Sequence, residues 1–242
     1  MDEIVGDVQA MRECVANDVG ALRALIRSLA LADDPASGED EGGARAELRE
    51  VLAAAGALVI SRPLDAAALY QRARAVCRNE GLAQAEVTVV MALGWICSAV
   101  GARGQAAGVY EEAAVLAERE CLWALATEAW TETGEHLSPD DHAGAAVAFR
   151  SAAAAAKLAG LVVPRIEALR LAGTALLALG RDQEATLVWE EAVDVGFHPQ
   201  AQPCDWLVLV AEELAELLER HGLMRSAQSV EATVAALRDA RT

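Results

Sequence analysis

From about residue 45 to residue 240 the chain returns at a near-fixed interval to one arrangement of small and aromatic positions: alanine, three residues, aromatic, two residues, alanine. It occurs as Ala66, Tyr70, Ala73, as Ala106, Tyr110, Ala113, as Ala145, Phe149, Ala152 and as Ala185, Trp189, Ala192, with the first alanines 40, 39 and 40 residues apart. A weaker fifth copy, Ala227, Glu231, Val234, follows after 42. Both tyrosines, one of two phenylalanines and one of five tryptophans fall in the same slot, so the slot is structural. The spacing of three and four puts these side chains on one helix face, and alternation of β-branched and polar residues is nearly absent, which predicts an all-α fold.

Upstream of three of the copies lies a second apolar helical stretch with a small residue at a close-contact position, Gly94, Gly173 and Ala215, followed by a turn glycine, Gly101, Gly180 and Gly222. Small residues let two helices approach, and a glycine in the left-handed conformation ends the first of them. The predicted unit is an antiparallel helical hairpin. A hairpin of this size cannot bury both faces alone, so hairpins must stack.

The clearest unit, "EALRLAGTALLALGRDQEATLVWEEAVDVGFHP" at 167–199, resembles the tetratricopeptide repeat: Gly173, Gly180, Ala185, Trp189, Ala192 and Pro199 fall near its small, aromatic and proline slots. The resemblance covers roughly residues 45–240 and departs from the family in period, about 40 residues in place of about 34. It also departs at the first-helix tyrosine, replaced here by Cys97, Leu176 or Leu218. It implies a right-handed superhelical solenoid of antiparallel helix pairs, about five of them over residues 45–242, whose first helices line a concave face.

Two further segments precede the repeats. In residues 1–34, Ile4, Val8, Met11, Val15, Leu22, Leu25 and Leu29 recur at spacings of 3, 4 or 7, the stripe of an extra N-terminal amphipathic helix, either a cap on the solenoid or a docking or dimerisation helix. Residues 35–44, acidic and Gly-rich after Pro35, read as a linker.

Charge narrows the partners. A net charge of −17 and a pI near 4.6 exclude a phosphate backbone, which is held by clustered Lys and Arg. The start, Asp2 and Glu3, lacks the basic and apolar regions of a signal peptide, and no apolar run is long enough to span a bilayer, so a cytoplasmic setting away from membranes is expected. Five cysteines without C-x-x-C spacing, Cys14, Cys77, Cys97, Cys121 and Cys204, read as small core residues in a reducing compartment.

Chemistry-bearing residues gather in one place, Glu135, His136, Asp140, Asp141 and His142. They offer ligands for a divalent metal and hence a metal-dependent enzyme, but Ser138-Pro139-Asp140-Asp141 also reads as a helix start, with Ser138 as N-cap, Pro139 at the first helical position and acids on the positive helix end. No spacing fixes two ligands on one face. His198 and His221 stand alone, no nucleophile triad or phosphate loop is present, and neither catalysis nor a cofactor is expected.

Projecting the repeat onto the first helices places Met91 and Trp95, then Glu128, Thr131 and Glu135, then Glu167, Arg170 and Thr174, and finally Glu212, Glu216 and Glu219 on the concave face. Such a groove is acidic with an aromatic anchor and suits a basic amphipathic segment of a protein partner. The sequence therefore points to an adaptor or chaperone of a bacterial type, with a regulatory module that senses a peptide or small ligand as the alternative.

Overall fold

The computed structural model describes residues 42–196 and 205–239; the N-terminal amphipathic stretch, Cys14, His198, Pro199 and Cys204 lie outside the described residues. The described residues form ten helices and no strand: α1 Gly42–Leu58, α2 Pro63–Asn79, α3 Ala83–Ala99, α4 Arg103–Arg119, α5 Trp123–Leu137, α6 His142–Ala159, α7 Val162–Ala178, α8 Asp182–Gly196, α9 Asp205–Arg220 and α10 Met224–Asp239. Helix α1 takes in Gly42, Gly43 and Ala44 of the segment read as a linker. The chain divides at Gly101 into two compact units, the first holding α1–α3 and the second α4–α10.

The connections explain how helices with few capping side chains stay in register. Five turns use one device: a residue one or two positions after the helix takes a left-handed φ, and the next amide donates to a carbonyl five residues back. These bonds run from Leu82 to Cys77, Leu122 to Ala117, Leu161 to Ala156, Arg181 to Leu176 and Leu223 to Leu218, at 2.8–3.0 Å. This satisfies orphan carbonyls at the helix end and leaves only two or three residues before the next helix begins. The left-handed residues are Gly81, Gly160, Gly180 and Gly222, with Gly101 at the corresponding place after α3, and also Cys121 at φ 57°.

Two expectations are corrected here. Cys121 is an exposed turn residue in a glycine slot; of the cysteines read as core, Cys77 is buried and Cys97 is half-buried. The start of α6 is capped by Asp141, whose carboxylate accepts the Gly144 amide at 2.9 Å, whereas Ser138 closes α5 and Pro139 lies in the turn. Asp141 wins because the helix begins later than the proline suggests, at His142.

In the first unit α2 packs against both α1 and α3. Tyr70, Ala66, Ala73 and Cys77 of α2 have no solvent exposure, and burial pushes the Tyr70 phenol up to about 12 and the Cys77 thiol up to about 11. A buried carboxylate, Glu86 of α3, is held by Arg78 at 2.9 Å and Arg74 at 3.4 Å. In the second unit each helix packs on the next, and α9 lies across both α7 and α8. One core runs through α6–α10, built on Phe149, Ile166, Leu169, Trp189, Leu207, Val210 and Leu214. Burying a large side chain of this kind stabilises by about 1.5–3 kcal/mol.

The repeated small positions are where the aromatics fit. A methyl placed on Gly134 of α5 would fall 2.5 Å from the Phe149 ring, and one on Gly173 would fall 2.1 Å from the Trp189 indole. Gly134 belongs to the series Gly94, Gly173, Ala215 at the same interval, a member that the sequence reading passed over.

Candidate partner-binding surface

Every residue projected onto the concave face lies on a first helix of a pair, and each keeps access to solvent. Met91 and Trp95, one turn apart on α3 in the first unit, are half-buried. In the second unit α5 carries Glu128 and Glu135, both exposed, and half-buried Thr131; α7 carries half-buried Glu167 and Arg170 and exposed Thr174; α9 carries half-buried Glu212 and exposed Glu216 and Glu219. The threonines donate their hydroxyls to their own helices, Thr131 to the Thr127 carbonyl at 2.9 Å and Thr174 to the Arg170 carbonyl at 3.0 Å.

The structure draws the members on α7 and α9 together. Arg170 donates to Glu213 of α9 at 3.3 Å, and its guanidinium lies 4.8 Å from the centre of the Trp206 ring. The positive charge of Arg170 also acts on Glu167, and the negative charges of Glu212 and Glu216 act on Glu213. Glu213 and Trp206 were not singled out from the sequence. Their signal is their place on α9, opposite the only basic member of the projected set.

Desolvation raises the carboxyl pKa of Glu128, Glu167 and Glu213, in the last two cases against the pull of Arg170. Glu128 reaches solvent, yet the protein crowded around it on this face still disfavours its charge. Successive first helices α5, α7 and α9 thus each present a carboxylate, and on α7 and α9 that carboxylate is half-buried. Glu212, Glu216 and Glu219 converge further on, around a pocket of about 340 Å³ completed by Ala215, Glu231, Val234 and Ala235.

Two of the residues weighed as metal ligands are engaged elsewhere. The His136 ring stacks on Tyr110 with centroids 5.5 Å apart and planes 11° from parallel, and burial, with the Arg103 charge second, holds its pKa below the ordinary value. Asp141 is the α6 cap. Among the described residues no three His, Cys, Asp or Glu side chains are grouped so as to hold a metal ion. Among the same residues no helix is long and apolar enough to cross a membrane.

Trp130 of α5 packs against the α6–α10 core and donates its indole N–H to Glu118 of α4 at 2.8 Å. Trp123 is half-buried at the start of α5.

No protein-family model matches the sequence, and no curated protein matches it. Solved structures do match in fold. BtubC from P. vanneervenii superposes with a TM-score of 0.57 at 15% identity over 95% of this chain and 90% of its own. A kinesin light chain of Podosopora anserina with nearly identical TPR-like repeats gives 0.54 at 14% identity over 85% and 99%. The MamA protein gives 0.53 at 16% over 80% and 92%. With helical pairs, aromatic-against-glycine contacts and a recurring turn all in place, the chain has the tetratricopeptide-like repeat fold.

Proposed function

We propose that this chain is a protein-interaction module, a cytoplasmic bacterial adaptor or chaperone that holds a basic amphipathic segment of a partner protein on the face formed by its first helices. The observation that carries the reading is the row of carboxylates on successive first helices, exposed Glu128 on α5, half-buried Glu167 on α7 and half-buried Glu213 on α9, the last two with their charge disfavoured by burial. A carboxylate that is costly to keep charged gains from an arriving Arg or Lys, which supplies a charge-assisted hydrogen bond where water is short. Met91 and Trp95 on α3, in the first unit, offer apolar contact area of their own.

Support also comes from the fold, since repeats of this kind bury one side of each hairpin against neighbours and leave the other as an extended surface. The net charge of −17 would steer a basic partner and make association sensitive to salt.

The test is affinity capture from native lysate with wild-type protein and two variants, Trp95→Ala and the pair Glu128→Arg, Glu167→Arg, each matched to wild type by circular dichroism. A stoichiometric partner kept by wild type, released by salt and lost by both variants supports the reading. Retention of the same partner by both variants refutes this surface.

A further inference from the structure

In the second unit α8 and α10 each pack on α9, and a groove runs between them. It holds two adjoining cavities of about 380 and 560 Å³, which share Glu190 of α8 and Leu218 of α9. Leu218 and Leu214, both buried, form its floor. The repeat register explains why the space stays open. Ser226 and Ser229 of α10, which line the larger cavity, stand at the positions that Glu184 and Leu187 hold on α8, counted from Ala227 and Ala185. Two short side chains replace two long ones, so α10 leaves the gap beside α8 unfilled.

The two ends of the groove differ in chemistry. Toward the turn between α9 and α10 the lining is leucine: Leu187 is 65% exposed and Leu223 51% exposed, with Leu218 at the bottom. Large apolar side chains left in water around a concavity mark an interaction site. At the other end Glu190 and Asp194 stand one turn apart on α8, both exposed, and the C-terminus of α8 adds its partial negative charge. Among the described residues neither carboxylate is in an ion pair. His221, which lines the leucine end, is engaged with Asp182 at 3.0 Å, so the unbalanced charge of the groove lies at Glu190 and Asp194.

We propose that this groove docks a short helical segment of a partner protein that carries a leucine-class side chain and, one to two turns further along, an arginine or lysine. The apolar side chain covers Leu187, Leu218 and Leu223, and the cation meets Glu190 and Asp194, which follow Leu187 by three and seven residues. A helix lying alongside α8 reproduces those spacings, a rise of about 4.5–10.5 Å. The groove follows α8 from Gln183 to Asp194, about 18 Å, with exposed lips. That shape suits a segment of chain, whereas a small molecule is held where most of its surface is enclosed. A second copy of this chain suits the acidic end poorly, since each copy has a net charge of −17.

The groove is built on second helices and shares no charged residue with the row Glu128, Glu167 and Glu213 on the first helices. It is a further surface, and its occupancy does not depend on the function proposed above. A partner held at both places would gain affinity by linkage.

Selection from a displayed library of random peptides of about 12 residues, the length of the groove, tests it. The bait is the full chain carrying Glu128→Arg and Glu167→Arg, so that the first-helix face is not what is selected. Enriched peptides are expected to carry Leu, Ile or Met followed three to seven positions later by Arg or Lys. By fluorescence anisotropy their Kd should rise at least about tenfold in two further variants, Ser229→Leu, which places in α10 the leucine that α8 has, and Glu190→Arg with Asp194→Arg. Circular dichroism matches each variant to wild type, and if Ser229→Leu disturbs α10, the exposed pair on α8 decides. No enrichment, enriched peptides without a cation, or binding unchanged by reversal of Glu190 and Asp194 overturns the proposal. A wild-type dimer in sedimentation that Ser229→Leu dissociates also overturns it, by giving the groove to a second copy.

Discussion

Trp189 Nε1 donates to the Arg170 carbonyl at 3.1 Å while the same indole edge fills the space where a side chain on Gly173 would be, the nearest approach to an added methyl being 2.1 Å. One aromatic thus closes the α7–α8 hairpin by shape and satisfies its own polar atom within the core. Size at position 189 and absence of size at position 173 are one feature.

Gly173→Ala is therefore expected to destabilise even though alanine is the better helix former by about 1 kcal/mol. Displacing the indole costs about 1–3 kcal/mol, as for other overpacked cores. Trp189→Ala alone loses about 3–5 kcal/mol by opening a cavity. In the Trp189→Ala background the sign of Gly173→Ala reverses, since the clash is gone and the propensity gain remains. Urea denaturation of the four species measures this, and additive effects would refute the coupling.

Cys121 holds a left-handed φ of 57° in a slot that glycine fills at five other turns. Cys121→Gly relieves the Cβ strain and is expected to stabilise by about 0.5–1 kcal/mol, the order of the penalty for a non-glycine residue in this conformation. The exposed thiol at 121 should react with a disulfide reagent in the native state, while Cys77, fully buried with its thiol pushed up to about 11, reacts only on unfolding.

What could be read from the sequence follows from what repeats must do. The slots of Tyr70, Tyr110, Phe149 and Trp189 were legible because the large side chain returns at a fixed interval, and all four are buried. The turn glycines Gly101, Gly180 and Gly222 were legible for the same reason, and each has a positive φ. Gly134 was missed although it stands 39 residues before Gly173, because an Ala-rich helix offers many small residues and only the Phe149 ring shows which one receives it. Cys121 was misread because its composition class, small and apolar, says nothing about a backbone conformation. The charged residues were legible only as faces. That Arg170 would bind Glu213 and lie over Trp206 depends on how α9 crosses α7, which helical periodicity within either helix leaves undetermined.

The Glu86 carboxylate is buried on α3 between Arg74, itself largely buried, and Arg78, which reaches solvent. Glu86→Ala leaves Arg74 without this partner and is expected to cost about 2 kcal/mol, the scale of a hydrogen bond to a charged group. Arg78→Ala should cost less, because the Arg78 guanidinium reaches solvent and Arg74 remains beside the carboxylate. Thermal unfolding of the two variants checks the order, and equal losses would contradict the burial argument.

Acid should act on the second unit in two opposed ways. Glu167 and Glu213 have folded-state pKa values raised above 4.5, so as pH falls from neutral through those values the folded state takes up protons before the unfolded chain does, and stability rises. His136 is held below 6.5, so as pH falls through 6.5 the unfolded chain binds a proton that the folded state refuses, and stability declines. Melting temperatures followed from pH 7 down to 4.5 separate the two, because Glu167→Gln with Glu213→Gln removes their share of the gain and leaves that of Glu128 and the histidine loss. Wild type should therefore improve relative to this variant as pH is lowered over that range. Should the variant instead improve relative to wild type, the two carboxylates would be stabilised by their surroundings, with Arg170 outweighing desolvation, and the face would have no surplus demand for a partner's cation.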